Sequence, residues 1–210
     1  MKHIPILLVF SILIAGCSPT KLIQQYKNPD AVNFNANKVL IIGVSADKDL
    51  RLIYEKRMVE ELNKKDVAAV KSIDLFEKSF TNNEKKIEQL NEIEKELFKA
   101  GYDAILITKI TDRRSKISMT DSYRNFAKKH QSFEEYYYNN QHIYLSKQLE
   151  RNQVYTTETS LYCICPEKER ELLWRGEIDV VDATKINRNI NSIISVLLKN
   201  LKANKLLLRN

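Results

Sequence analysis

The chain has 210 residues, a formal net charge of +7, 43% apolar and 29% charged residues, and only four glycines and four prolines. That balance argues against a disordered chain, a collagen-like repeat, a linker array or a propeller, and leaves enough apolar material for one buried core. No internal repeat at solenoid periods is present.

The chain opens with Lys2 and His3, followed by a 12-residue, almost wholly apolar run from Ile4 to Ala15. A membrane-spanning helix needs about 20 such residues, so the run predicts a secretory signal peptide over residues 1–16. The stretch Leu13-Ile14-Ala15-Gly16-Cys17 resembles a bacterial lipobox, the alternative being an ordinary signal peptide with a chance cysteine. The resemblance implies that Cys17 is acylated and becomes the new N-terminus, several acyl chains holding a bilayer far better than one. No later apolar run approaches a spanning length. Ser18 in the second mature position, where inner-membrane lipoproteins carry aspartate, implies an outer-membrane anchor. The residues that follow lack a surface-export acidic cluster, so the chain is expected to face the periplasm.

Residues 17–37 are polar and Asn-rich, with Pro19 and Pro29, and predict a lipidated spacer ahead of a single domain over 38–206. "KVLIIGVS" predicts a strand that is apolar on both faces and therefore covered on both sides. Asp49 is the expected cap of a helix reaching about Lys64, with Leu52, Val59 and Leu62 on its inner face. "VAAVKS" predicts a second strand. Asn82 or Asn83 opens a second helix whose Ile87, Leu90, Ile93 or Glu94, and Leu97 keep helical spacing, and Gly101 stands where a left-handed C-cap belongs. "YDAILITKI" predicts a third strand, and a long insertion covers about 113–151. Then "VYTTETSLYCIC" and "ELLWRGEIDVV" flank a polar turn at Pro166 to Arg170 and predict a hairpin, with Leu172, Trp174, Gly176, Ile178 and Val180 on one face. A last helix from about Asn187 to Asn204 carries Ile190, Ile194, Leu197 and Leu201. The order β-α-β-α-β, insertion, hairpin, helix predicts an α/β fold, a mixed sheet packed with three helices.

At Gly101-Tyr102-Asp103-Ala104, at Thr159 to Tyr162 and at Leu172 to Arg175, together with the strand and helix from Lys38 to Ser72, the chain resembles a family of small bacterial envelope lipoproteins. More distantly it is similar to the α/β domain of the TolB N-terminal part, and to that of lipoproteins that activate penicillin-binding proteins or help secrete curli. The resemblance implies a non-enzymatic accessory module that works beside other envelope proteins, although fold analogy alone is a weak warrant for function.

Motifs for catalysis are missing: no glycine-rich phosphate loop, no H-E-x-x-H and no G-x-S-x-G occurs. His130 and His142 lie in polar surroundings and read as surface histidines, and the adjacent Glu134 and Glu135 point apart in regular structure. The loop "SADKDLR" follows the first strand, where α/β proteins often bind ligands, but has no glycine-rich turn. No enzyme and no cofactor are expected. Cys163 and Cys165 have three readings: two small buried side chains beside Leu161, a soft-metal pair, or a disulfide, which would be strained within a regular strand.

Two features rise above this background. The insertion carries Tyr123, Tyr136, Tyr137, Tyr138 and Tyr144 with His142, a composition that suits recognition of an envelope protein or stacking on the sugars of peptidoglycan or lipopolysaccharide. The same residues could instead fold down as an extra helix or edge strand filling a satellite core. The segment from Lys185 onward holds six basic residues and no acidic one, matching the +6 that remains once Lys2 leaves with the leader. Lys199, Lys202 and Lys205 complement a helix C-terminus and form either a solvated face or a contact for anionic headgroups or an acidic partner. Nucleic acid is not an expected partner of an exported, tethered chain.

Overall fold

The computed structural model describes residues 20–31, 33–76, 80–112, 132–145, 155–165, 171–180 and 186–208. Cys17, Tyr123, His130 and the hairpin turn from Pro166 to Arg170 lie outside the described residues. The fold is the expected mixed α/β arrangement. Six strands, β1 (Lys21–Lys27), β2 (Lys38–Val44), β3 (Ala68–Lys71), β4 (Ala104–Asp112), β5 (Tyr155–Cys163) and β6 (Leu172–Val180), form one sheet in the order β1-β6-β5-β4-β2-β3. β2 pairs in parallel with both β3 and β4, whereas β4-β5, β5-β6 and β1-β6 are antiparallel.

The doubly apolar pattern of β2 is explained by cover on both faces. Val39 and Ile41 point into one core with Tyr54, Met58 and Leu62 of helix α1 (Lys48–Asn63) and Ile194, Leu197 and Leu201 of the last helix. Leu40, Ile42 and Val44 point into the other, against Leu90 and Leu97 of the helix Ile87–Lys99. A single turn of helix, α2 (Ser72–Leu75), follows β3, so Ile87–Lys99 is α3, Phe133–Asn140 is α4 and Ile186–Ala203 is α5. α1 and α5 cover one face of the sheet; α3 and α4 cover the other.

Among the described residues, the three long helices stop in the same way. Asp66 (φ 59°), Gly101 (φ 79°) and Lys205 (φ 58°) take left-handed backbone just past α1, α3 and α5. The amides of Val67, Tyr102 and Leu206 then reach back to the carbonyls of Leu62, Leu97 and Leu201 at 3.2, 3.0 and 2.9 Å. Each of these pairs is buried, which is the apolar contact that accompanies a Schellman ending. Gly101 was legible as such a cap; Asp66 and Lys205 were not, because a non-glycine in this conformation is uncommon.

Four expectations are corrected. Residues 21–27, read as spacer, form β1, which closes the sheet at β6. A bulge between Leu22 and Gln24 turns Leu22 to the α1/α5 core and Tyr26 to the other, so the strand shows no clean alternation. The N-cap of α1 is Asp47, whose carboxylate accepts from Asp49 N and Leu50 N, and the buried stripe is Tyr54, Met58 and Leu62 at i, i+4 and i+8. Leu52 is 44% exposed. α3 begins at Ile87 behind Lys86, with a 3-10 turn at Phe80–Asn82 before it. Finally, a register shift between Leu161 and Tyr162 leaves Leu173 without a register partner in β5, so Leu172 faces the α3/α4 core while Trp174, Ile178 and Val180 face the other.

Candidate functional site

In a sheet of this topology the first place to look is the crevice at the carboxyl ends of β2 and β4, where successive crossovers leave on opposite faces. That crevice is filled by the protein itself. Glu55, fully buried on α1, accepts from Gly43 N (2.9 Å), Arg51 Nε (2.9 Å) and Ser72 Oγ (2.7 Å), and its second oxygen accepts from Ile73 N (3.1 Å). The Arg51 guanidinium lies 5.1 Å from the centre of the Tyr144 ring, and the Tyr144 hydroxyl donates to the Gly43 carbonyl at 3.0 Å. Burial alone would lower the Arg51 pKa; Tyr144 and Glu55 outweigh it and hold the charge. At the start of α1 the amides that could cradle a phosphate are already taken by Asp47, itself an anion.

The tyrosine segment is the second candidate, and the structure separates its members. α4 and the 3-10 turn Gln141–Leu145 lie on the sheet with Phe133, Tyr136 and Tyr137 inward, at spacing i, i+3 and i+4. Tyr136 (1% exposed) and Tyr137 (4%) are core and cannot serve as an exposed contact, whereas Tyr144 is half-buried with its hydroxyl on the Gly43 carbonyl. The aromatic spacing from Phe133 was the sequence signal for this outcome. Tyr138 (46% exposed) and His142 remain on the surface. Burial pushes the Tyr137 and Tyr162 hydroxyls up to about 12, and those of Tyr136 and Tyr144 well above the usual tyrosine range. All four stay neutral.

Under α4 lies a buried ionic network. Glu158 pairs with Lys109 Nζ at 3.0 Å and accepts from the Tyr136 hydroxyl at 2.8 Å. Arg175 donates through Nε to Ser160 Oγ (2.9 Å) and through Nη2 to the Tyr162 hydroxyl (3.1 Å), with its guanidinium 5.0 Å from the Tyr136 ring centre. Burial would raise the Glu158 pKa, but Lys109 and then Arg175 outweigh it and hold the carboxyl below its ordinary value. Every group in the network faces another protein group, and α4 closes over it. The arrangement pins α4 to β4, β5 and β6; it is a fastening.

Cys163 and Cys165 form a disulfide, so neither is a free thiol or a metal ligand. β5 ends at Cys163, and Ile164 N bonds to Asp103 O at 2.9 Å, so the bridge spans the place where the chain leaves the ladder. The geometric objection applied to a continuing strand, where alternate Cα atoms stand farther apart than the 5.4 Å found here. Among the described residues, no three His, Cys, Asp or Glu side chains are placed to hold a metal ion.

A groove between α1 and α5, about 630 Å³ in volume, is an open concave feature of the described surface. Ile194, Leu198 and Leu208 form its floor. One wall carries Arg57, Glu60, Glu61 and Lys65; the other carries Ser195, Lys199 and Lys202. Arg57 bridges the helices at one end, donating to Asn187 O (2.7 Å), Asn187 Oδ1 (3.0 Å) and Asn191 Oδ1 (2.9 Å). Glu61 pairs outward with Lys64 at 2.6 Å. Lys199 and Lys202 are exposed on the rim, as the charge of the C-terminal segment led one to expect, and Lys205 stands beyond them in the helix ending. The α1 half of the groove was not foreseen, because its residues lie about 130 positions earlier in the chain. Four cations and two anions over an apolar floor suit an amphipathic segment bearing carboxylates.

No family model matches the chain, and no curated protein matches it. Among solved structures it is similar to the PelC dodecamer from Paraburkholderia phytofirmans, with a TM-score of 0.47 and 8% identity over 91% of this chain and 100% of that one. It is also similar to lipoprotein GNA1162 from Neisseria meningitidis, with a TM-score of 0.40 and 12% identity over 81% of this chain and 99% of that one. Neither likeness assigns a role to any residue.

Proposed function

We propose that this chain is a non-enzymatic accessory protein of the cell envelope, acylated at Cys17, anchored to the outer membrane facing the periplasm, and docking a segment of another envelope protein in the α1–α5 groove. The groove carries the reading. It is open and has an apolar floor, and its rim cations Lys199 and Lys202 make no ion pair among the described residues. The lipobox-like run ending at Cys17 supports the anchor, and no described helix is long and apolar enough to cross a membrane. The resemblance to accessory lipoproteins agrees with a role beside another protein. The glycan reading depended on an exposed row of tyrosines. With Tyr136 and Tyr137 in the core and the Tyr144 hydroxyl turned to Gly43, Tyr138 remains among the described residues, and no observation favours sugar stacking.

The test is photo-crosslinking in cells with Cys17 intact. A photo-reactive residue at Ser195, on the groove wall, is expected to give a discrete protein adduct that weakens when Lys199→Glu and Lys202→Glu are combined. An adduct from Tyr138 instead would move the contact to α4. No protein adduct from either position would refute the accessory reading.

A further inference from the structure

The point at which the chain enters the sheet decides which end of the domain can lie against a lipid surface. β1 begins at Lys21, the fourth residue after Cys17, and is held there by its pairing with Asp179. Even fully extended, four residues reach about 14 Å. The spacer expected over 17–37 is therefore a short strap, and Lys21 stays close to whatever holds Cys17.

Lys21 sits at the end of the sheet where β2, β4 and β6 finish and where α1, α3 and α5 begin. The lysine end of α5 is at the opposite end. β1 runs seven residues, about 20 Å, from Lys21 to Lys27. There the Lys27 ammonium donates to Asn204 O at 2.9 Å, just past the end of α5. The attraction of a charged surface fades over a Debye length of about 8 Å at physiological ionic strength. With the tether end down, Lys202 and Lys205 stand beyond that range.

Exposed apolar side chains favour that posture. Leu75 (41% exposed) closes α2 above β3, Ile87 (38%) opens α3, and Leu145 (56%) follows Tyr144, whose hydroxyl marks the end of β2 at Gly43. All three lie at the tether end. Ile23 and Leu52 stand just below it, and Phe98 is at the far end.

We propose that the tether end of the sheet, through Leu75, Ile87 and Leu145, rests on the lipid surface that holds the acyl chains. The lysine end of the α1–α5 groove then points away from that surface, and its occupant is a carboxylate-bearing protein segment, not an anionic headgroup of the anchoring leaflet. This inference rests on the acylation of Cys17 proposed above.

The full acylated chain, reconstituted in vesicles of phosphatidylethanolamine and phosphatidylglycerol, tests it. Leu75→Cys, Leu145→Cys and Lys205→Cys each carry one NBD fluorophore, the native Cys163–Cys165 bridge leaving the added thiol as the labelling site. Quenching by a nitroxide-headgroup lipid is expected to be several-fold stronger at positions 75 and 145 than at 205. Equal or stronger quenching at 205, or none at 75 and 145 in vesicle-bound protein, overturns the orientation and leaves the anchor standing. A chain that fails to float with vesicles and shows an unmodified Cys17 by mass spectrometry overturns the anchor, and the orientation with it.

Discussion

Trp174 and Gly176 share a face of β6, and the indole folds down over the glycine. A Cβ at residue 176 would stand 2.1 Å from Trp174 Cη2 and 2.5 Å from Cζ2, so Gly176→Ala forces the ring to retreat by more than about 1 Å before ordinary contact is restored. The indole is fully buried and donates through Nε1 to Gln25 Oε1 at 3.1 Å, so any retreat strains the seam between β6 and β1. Overpacking of this kind costs about 1–3 kcal/mol, and the strained hydrogen bond adds about 1 kcal/mol. A total near 3 kcal/mol is a large part of the roughly 5–15 kcal/mol that holds a domain together. The chain has one tryptophan, so its own fluorescence reports the event. Gly176→Ala is expected to red-shift the emission and to lower the urea midpoint by about 1.5 M, for an m value near 2 kcal/mol/M. Shortening the ring in Trp174→Leu should make the added methyl much less costly. An unchanged emission maximum together with an unchanged midpoint would refute the packing described for β6.

Lys109→Met removes the cation 3.0 Å from buried Glu158 and is expected to cost about 3 kcal/mol, part of it recovered when Glu158→Gln is added; urea titrations of the four forms measure the coupling. Because the folded Glu158 pKa lies below its ordinary 4.5, its ionisation contributes stability fully above that value and loses it as pH falls through the depressed one. The advantage of the native chain over Glu158→Gln should therefore shrink as pH falls below the ordinary 4.5 in unfolding curves taken at successive pH values, and a difference that does not change with pH would contradict the assignment. Asp66→Gly and Lys205→Gly relieve left-handed backbone at helix ends and should each raise the thermal midpoint, by about 1 kcal/mol of added stability. Tyr136→Phe, which strips the hydroxyl from Glu158, is expected to cost about 1–2 kcal/mol, whereas Tyr138→Ala stays within about 0.5 kcal/mol. Equal losses for the two would place Tyr138 in the core.

The elements legible in the chain are those whose own residues record burial. β2 is apolar on both faces because it is covered on both, and α3 and α5 keep their inner residues at helical spacing. What escaped depends on partners far away in the chain. β1 is a polar edge strand whose bulge breaks the alternation, and its ladder partner lies about 150 residues later. The groove takes one wall from α1 and the other from α5, so charge counting found Lys199 and Lys202 but not Arg57 or Lys65. α1 shows a different kind of miss. Tyr54, Met58 and Leu62 were visible at four-residue spacing, but Leu52 and Val59 offered a competing stripe, and only the sheet decides between them. The Phe133, Tyr136 and Tyr137 spacing likewise held the core reading beside the recognition reading; the ionic network on β4, β5 and β6 holds Tyr136, while Phe133 and Tyr137 pack into the apolar cluster around it.

The pairing of β1 with β6 also constrains the order in which the protein is built. The first strand of the sheet cannot find its place until the last strand has been made, since Lys21 opposes Asp179 and Lys27 opposes Trp174. Contacts that close so long a loop form late and slowly. In the interval β6 presents a bare edge, a hazard for pairing with a neighbouring chain. A chain fastened at Cys17 would hold β1 beside the membrane throughout, and such a strap would also limit where the last seam can close.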